Sequence, residues 1–220
     1  MREVFQQELA EVQTRLVSIS EAVETAIKLS HEALHSSDVQ LAEKVIASDV
    51  NIDEQVDSLD EYSIDIMARQ GPVARDLRIV VSSLRISASL ERMGDLARHI
   101  ATLSRYRFPE EVVPGTLAET FREMGQLDIQ IAGLLVELLK TESVDVGDRI
   151  RQLDDEVDAL HQRVFDVVLS DDWNEPSTVT VDMVLGSRYH ERFADHAVSI
   201  AKKMNYLATG EWTEAEDDAE

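Results

Sequence analysis

Two segments of the sequence carry a pair of carboxylates at one-turn spacing. Glu91 and Asp95 enclose Arg-Met-Gly, and Glu191 and Asp195 enclose Arg-Phe-Ala, 100 residues further on. In a helix, residues four apart lie on the same face one turn apart. Each pair is therefore within reach of one shared cation, which is the first chemistry that the sequence suggests.

A second pair of segments repeats at nearly the same offset. Asp53 and Asp57 lie in IDEQVDSL, and Asp154 and Asp158 lie in LDDEVDAL, 101 residues further on. Two motifs that share one offset are typical of an internal repeat. The sequence therefore predicts a duplicated fold in which each half carries two acid pairs.

In a three-helix bundle the second and third helices are antiparallel neighbours, so the two acid pairs of each half should meet. Four carboxylates in one patch repel one another, and a bound cation is the simplest compensation. All-oxygen sites suit Mg, Ca, Mn or iron and discriminate poorly among them. The predicted metal ligands are Asp53, Asp57, Glu91, Asp95, Asp154, Asp158, Glu191 and Asp195, with His99 as an additional ligand one turn beyond Asp95.

A simpler interpretation of the same residues stays open. Acid pairs at this spacing are common on solvated helix faces, where they bind nothing. The repetition in register raises the metal interpretation to equal standing with the solvated one.

A stripe of arginines is predicted along one side of the third helix. Arg78, Arg85 and Arg92 recur every seven residues, and Arg75 lies near the start of the helix. Such a stripe can dock an acidic partner or a phosphate-bearing ligand. The alternative, slightly favoured from the residues alone, is that these arginines neutralise the acids of the next helix.

Composition limits the fold class and the functional class. The chain has 220 residues with only 8 Gly, 4 Pro and 5% aromatics, which favours an all-α protein. There is no cysteine, and the net charge of −23 argues against a general nucleic-acid binder. The polar N-terminus and the lack of a long apolar run predict a cytoplasmic protein.

Helical periodicity predicts six long helices in two tandem antiparallel three-helix bundles packed side by side. The predicted division is a first bundle over 1–107, a linker over 108–115, a second bundle over 116–210 and an acidic, disordered tail over 211–220.

Local signals predict where the helices begin and end. Ser37 with Gln40, and Thr116 with Glu119, form capping-box patterns for the second and fourth helices. Gly71 should stop the second helix and Gly210 the sixth, since glycine favours the position after a helix. Pro72 and Pro176 should occupy the first turns of the third and sixth helices. The fifth helix is predicted over about 145–170.

Three stretches resemble the PhoU family of phosphate-signalling regulators. They are PVARDLR at 72–78, LERMGD at 90–95 and YHERFADHA at 189–197, and the likeness extends over nearly the whole chain. The resemblance implies two tandem three-helix bundles and multinuclear metal clusters of iron, Mn, Zn or Mg at the acid pairs. It also implies no catalysis.

The resemblance further implies an adaptor that couples a phosphate ABC transporter, through its ATPase subunit, to a membrane sensor histidine kinase. Such an adaptor keeps the phosphate-starvation response off when phosphate is plentiful, and a homodimer is expected. Two other hypotheses are kept: a di-metal carboxylate enzyme or metal store, and a purely structural bundle.

Overall fold

The structure, a computed structural model, describes residues 2–209 and consists of six long helices in that range. They are α1 (Arg2–Ser36), α2 (Val39–Gln70), α3 (Ala74–Arg107), α4 (Ala118–Thr141), α5 (Val144–Val168) and α6 (Ser177–Thr209). No strand occurs in this part of the chain. The all-α prediction is confirmed, whereas the predicted stop at Gly210 and the tail at 211–220 lie outside the described residues.

The start of α2 differs from the prediction by one residue. Asp38, not Ser37, is the N-cap, and its side chain accepts hydrogen bonds from the backbone N–H groups of Gln40 and Leu41 at 2.8 and 3.1 Å. An aspartate at this position satisfies two otherwise free donors and its charge suits the helix dipole. The predicted stop at Gly71 is confirmed, since this residue adopts a φ of +53°.

Three further helix starts also differ from the prediction, and one of them is α6, which begins at Ser177, directly after Pro176. The helix α3 begins at Ala74 rather than in a turn that contains Pro72, with Val73 in extended conformation before it. The predicted capping box at Thr116 is wrong, because Leu117 precedes α4 without a side-chain cap. Leu117 is fully buried, so apolar anchoring rather than a capping side chain fixes the start of α4.

Four helices form the centre of the molecule. The helices α1 and α3 of the first half pack against α4 and α6 of the second, while α2 covers α1 and α3, and α5 covers α4 and α6. The buried apolar side chains form one continuous core. The two predicted three-helix bundles are therefore present side by side, and they share their interior.

An apolar stripe on α3, with spacings of three and four residues, faces this core. Leu90, Met93, Ala97 and Ile100 have no solvent exposure. Burying a side chain of this size contributes about 1.5–3 kcal/mol, so the stripe fixes how α3 is rotated. Within residues 2–209, no helix is both long enough and apolar enough to cross a bilayer.

A buried polar seam lies where α4 meets α1 and α6. Asp128 and His190 have no solvent exposure and join α4 to α6 through a 2.7 Å contact between Oδ2 and Nδ1. One turn earlier on α4, a Cβ atom at Gly125 would lie only 2.0 Å from Nδ1 of His31 on α1. Glycine is therefore required for α1 and α4 to approach this closely.

We expect Gly125→Ala to lower the free energy of unfolding by about 1–2 kcal/mol, because overpacking outweighs the gain in helix propensity. Urea unfolding followed by circular dichroism measures the change. Gly133→Ala is the matched control on the same helix, since its Cβ would meet Glu24 Oε1 at an ordinary 3.6 Å. The control should be neutral or stabilising by up to about 1 kcal/mol. Equal effects of the two substitutions would show that the His31 contact is unimportant.

Candidate functional site

The first carboxylate cluster comprises Asp53 and Asp57 on α2 with Glu91 and Asp95 on α3. A Cβ at Gly94 would lie 3.1 Å from Cδ1 of Ile52, so glycine lets α2 lie close against α3 at this level. Burial raises the pKa of Glu91, Arg92 lowers it, and the charges of the three aspartates raise it further. The structure thus brings together the four acids predicted for the first half.

The second carboxylate cluster comprises Asp154 and Asp158 on α5 with Glu191 and Asp195 on α6. Burial, followed by the repulsion of the neighbouring acids, raises the pKa of Asp154 to about 7. Burial is also the main cause that raises the pKa values of Asp158 and Glu191. The predicted acids of the second half are therefore also brought together, and their charges repel.

The first cluster contains an arginine that the spacing of the acid motifs does not indicate. Arg98 Nε lies 2.5 Å from Oδ2 of Asp49, and its terminal nitrogen donates to Oδ1 of Asp95 at 2.7 Å. Burial raises the pKa of the Asp49 carboxyl, while the charge of Arg98 lowers it. Asp49 lies one turn before Asp53, and this one-turn spacing was the signal that could have revealed it.

The second cluster lacks this arrangement. At the matching offsets, Val198 stands for Arg98 and Ile150 stands for Asp49. A hydrogen bond and ion pair link Arg188 to Glu191 at the edge of the cluster. Oδ1 of Asp154 and Oε2 of Glu191 are buried without a hydrogen-bond partner. Buried oxygens of this kind indicate a missing donor or cation.

Whether the clusters fit a metal ion depends on their oxygen atoms. Among residues 2–209, no three Asp, Glu or His side chains stand in an arrangement that could hold a metal ion. Binding thus requires carboxylates to turn towards one another. The all-oxygen donor set and the unpartnered oxygens of Asp154 and Glu191 fit a hard cation in the second cluster. A cavity of about 760 Å³ is lined by Asp154 but by no other acid of the second cluster.

His99, predicted as an additional ligand, lies between α3 and α6. Its ring centroid is 5.1 Å from that of Tyr189, and Nε2 lies 3.5 Å from a terminal nitrogen of Arg98. Burial, then the charge of Arg98, lowers its pKa. The ring thus faces a guanidinium as well as the acids, and its role as a ligand stays a prediction.

The predicted arginine stripe borders the groove between α3 and α6. Arg75, Arg85 and Arg92 are exposed, and the guanidinium of Arg78, which is half-buried, lies 5.8 Å from the ring centroid of Tyr206 on α6. Burial, followed by the charge of Arg85, lowers the pKa of Lys203 on α6. The groove therefore carries basic side chains from both halves, although the sequence analysis placed them on α3 alone.

Comparison with known proteins covers both halves of the chain. The family model described as the PhoU domain matches twice, over residues 16–104 and 121–204. The phosphate-specific transport system accessory protein PhoU homolog 1 of Mycobacterium leprae is 33% identical, over 97% of this chain and 96% of the relative. Homolog 2 of Mycobacterium tuberculosis is 34% identical, over 96% of this chain and 99% of the relative. The double match agrees with the predicted duplication.

Two solved structures share the fold. A crystal structure of PhoU from Pseudomonas aeruginosa has a TM-score of 0.85 and 26% identity, over 94% of this chain and 100% of that chain. The phosphate transport system regulatory protein PhoU from Streptococcus pneumoniae has a TM-score of 0.84 and 25% identity, over 96% and 99% of the two chains. The similarity of these structures over nearly the full chain confirms the predicted fold class of two helical bundles.

We expect Asp154→Asn to stabilise the protein at pH 8 in metal-free buffer. Because the folded state holds the pKa of Asp154 near 7, above its ordinary value of 3.8, ionisation favours unfolding. Stability from this group is present below pH 4 and is lost as the pH rises through about 7. After allowance for solvent screening, the substitution should raise the free energy of unfolding at pH 8 by about 1 kcal/mol.

Urea unfolding in the presence of a chelator, at pH values from 5 to 8, measures this effect. The matched control is Glu156→Gln, which removes an exposed charge from the same helix. The control should leave the pH dependence unchanged, whereas Asp154→Asn should flatten it. If Asp154→Asn left the pH dependence of the free energy of unfolding unchanged, the neighbouring acids and burial would not raise the pKa of this carboxyl.

Proposed function

This chain belongs to the PhoU family, and from that premise we propose that it is a non-enzymatic accessory regulator of a phosphate-specific transport system. The observation that carries the proposal is the match of both halves to relatives named as accessory proteins of such systems, over nearly their full lengths. The alternative of a di-metal enzyme or metal store draws no support from those names.

The regulator acts by binding two partners through its long helical faces. One partner is the ATPase subunit of the phosphate transporter, and the other is a sensor histidine kinase. Phosphate status reaches the protein as a conformation of the transporter. A ligand-dependent state of one partner changes the affinity for the other by a coupling free energy, typically about 1–3 kcal/mol. The protein works in the cytoplasm, as a homodimer.

The arginine stripe provides the docking face in this proposal. The region 69–107 carries eight arginines and three acids, although the whole chain has a net charge of −23. Arg75, Arg85 and Arg92 are exposed along it, and Lys203 adds a charge from α6. A basic groove on an acidic protein favours an acidic partner and fixes its orientation, because the rest of the surface repels that partner.

The carboxylate clusters hold divalent or trivalent cations in this proposal, with iron, Mn, Zn and Mg as candidates. A bound cation supplies positive charge that offsets the repulsion among the acids. The support is the pair of buried, unpartnered oxygens on Asp154 and Glu191. The residues of each cluster belong to two helices, so a cation held between them stabilises α2 against α3, or α5 against α6.

We expect the triple variant Arg75→Gln, Arg85→Gln and Arg92→Gln to bind the transporter ATPase subunit or the kinase at least tenfold more weakly, because the charge complementarity is lost. Biolayer interferometry with the purified partners at physiological salt measures both affinities.

The matched control removes three exposed basic residues from α2 and α5 through Lys44→Gln, Arg149→Gln and Arg163→Gln. It has the same net charge as the triple variant, so unchanged binding isolates the position of the charges. Failure of the wild-type protein to bind either partner would overturn the adaptor proposal. Equal losses in both variants would overturn only the assignment of the docking face.

A further inference from the structure

We propose that the acidic segment 211–220 of this chain docks intramolecularly in the basic groove between α3 and α6, with the indole of Trp212 as its apolar anchor. The segment then covers the same face that docks the acidic partner, so it acts as an internal competitor. This regulatory consequence rests on the docking face in the proposed function and deepens it. The contact itself rests on the groove and on the sequence that follows α6.

The groove holds positive charge that few acids offset. Its cations are Arg75, Arg78, Arg85 and Arg92 on α3 and Lys203 on α6. Among residues 2–209, the one acid that forms an ion pair with any of them is Asp95, at 3.1 Å from Arg92. Nε of Arg78 is buried without a hydrogen-bond partner. Neighbouring cations that lack counter-charges attract an acidic segment.

Lys203 shows that these cations lie close enough to repel one another. Burial, then the charges of Arg85 and Lys202, lowers the pKa of Lys203. Its Nζ donates to the backbone oxygen of Ser199 at 3.1 Å and to the hydroxyl of the same residue. Both acceptors are neutral and leave the charge in place. A carboxylate that enters the groove relieves this repulsion, so the groove favours anions.

The end of α6 brings the following residues to this groove. The helices α3 and α6 are antiparallel, since Arg107 pairs with Asp182 at one end and the guanidinium of Arg78 lies 5.8 Å from the ring centroid of Tyr206 at the other. The chain therefore leaves α6, after Thr209, beside the start of α3 and at one end of the row of cations.

The segment that follows matches the groove in charge and in length. Residues 211–220 contain six acids and no basic residue. These ten residues span at most about 33–36 Å when extended, whereas the 17 residues from Arg75 to Arg92 cover about 26 Å of helix. Gly210 precedes the segment, and glycine readily adopts the left-handed conformation that reverses a chain after a helix. The segment can thus turn back along α6 and place its acids over the cations.

An apolar pocket beside the last turns of α6 provides the place for Trp212. It has a volume of about 320 Å³, and its lining includes Leu9, Val12, Met204, Leu207 and Arg75. An indole in this pocket buries apolar area, and its ring can stack on the guanidinium of Arg75. Asp76 and Glu142 also line the pocket, so it favours the neutral indole over the acids of the segment.

Covalent attachment makes the segment an effective competitor. A connection of a few residues keeps the acids near the groove at a local concentration of millimolar order. A separate acidic partner has to displace them before it docks. The segment therefore lowers the affinity of the docking face and rejects acidic proteins that bind the groove weakly.

The fluorescence of Trp212 in the full chain tests the contact. The chain contains two tryptophans, and Trp173→Phe leaves Trp212 as the only one. Trp173 precedes α6, a helix of 33 residues or about 50 Å, so its replacement does not alter the end of the groove. We expect emission at short wavelength and weak quenching by acrylamide, because the indole is shielded from water.

Loss of charge on either side of the contact should release Trp212. In the Trp173→Phe background, emission should shift to longer wavelength and quenching should increase in two variants. One is the groove variant Arg75→Gln, Arg85→Gln and Arg92→Gln, and the other is the segment variant Glu214→Gln, Glu216→Gln, Asp217→Asn and Asp218→Asn. The matched control for the groove variant, Lys44→Gln with Arg149→Gln and Arg163→Gln, should leave the spectrum unchanged. Circular dichroism checks that each variant is folded.

The segment variant should also bind the transporter ATPase subunit or the kinase at least about fivefold more tightly, because a competitor at millimolar local concentration is lost. Biolayer interferometry measures this gain. The matched control removes four exposed acids elsewhere through Glu54→Gln, Glu61→Gln, Asp171→Asn and Asp172→Asn. It has the same net charge as the segment variant, so unchanged affinity in the control isolates the position of the acids.

Each outcome bears on a different claim. A solvent-exposed Trp212 in the Trp173→Phe protein, or a spectrum that the groove variant leaves unchanged, would overturn the docked segment. A spectrum that changes with protein concentration would assign the contact to the segment of a second copy and overturn the intramolecular contact. Docking without any gain in partner affinity would overturn the competition alone. Failure of wild type and of the segment variant to bind either partner would overturn the adaptor proposal and leave the fluorescence result standing.

Discussion

The burial of one apolar stripe from each of α1, α3, α4 and α6 in a shared core is the interaction on which the other features depend. On α3, burial of Leu90 and Met93 fixes the rotation of the helix. With about 3.6 residues per turn, that rotation turns Glu91 and Asp95 to the boundary with α2. Phe193 has the same effect on α6. Glu91, Asp95 and Glu191 are thus half-buried because their apolar neighbours are fully buried, whereas Asp195 is exposed.

This placement brings carboxylates close together, and their mutual repulsion is reduced in a different way in each half. Two like charges 5 Å apart near a protein surface repel by about 3 kcal/mol. In the first cluster, Arg98 lies between the acids and offsets part of this repulsion. In the second, burial and then the repulsion of the neighbouring acids raise the pKa of Asp154 to about 7, so this carboxyl binds a proton more readily than an ordinary one. Protonation of a carboxyl and binding of a cation are alternative ways to reduce the repulsion among carboxylates.

Much of the fold was predictable from the sequence, because periodicity and repetition are properties of the chain itself. The stripe with Leu90 and Met93, the stop at Gly71 and the repeated acid motifs all follow from spacing. Helix starts were less predictable, since Asp38 and Ser37 are both good capping residues and local sequence does not rank them. The start at Leu117 depends on burial, which is a tertiary property.

The site was predictable only in part, because only the residues repeated in both halves can be found from the sequence pattern. The acids belong to the repeat, so comparing the halves reveals them. Asp49 and Arg98 are not part of the repeat, because Ile150 and Val198 stand at the matching positions of the second half. Comparison of the halves therefore does not reveal them. The close approach of His31 to Gly125 joins positions far apart in the sequence, and no spacing rule reports such a contact. Comparison of the halves therefore finds shared features and overlooks those that distinguish them.

The same distinction explains how a duplicated fold can carry two unequal sites. Core positions are tied to one another because both halves share one interior, so a change in volume on one helix affects its neighbours in the other half. Positions at the boundary of the core are only partly buried, as Arg98 and Val198 are, and can differ between the halves. The antiparallel contact of α3 with α6, marked by the Arg107–Asp182 pair at one end and Arg78 over Tyr206 at the other, holds both clusters at one level of the molecule. Divergence at a few residues is thus sufficient to place a bridging arginine among the acids of one half and apolar side chains at the matching positions of the other.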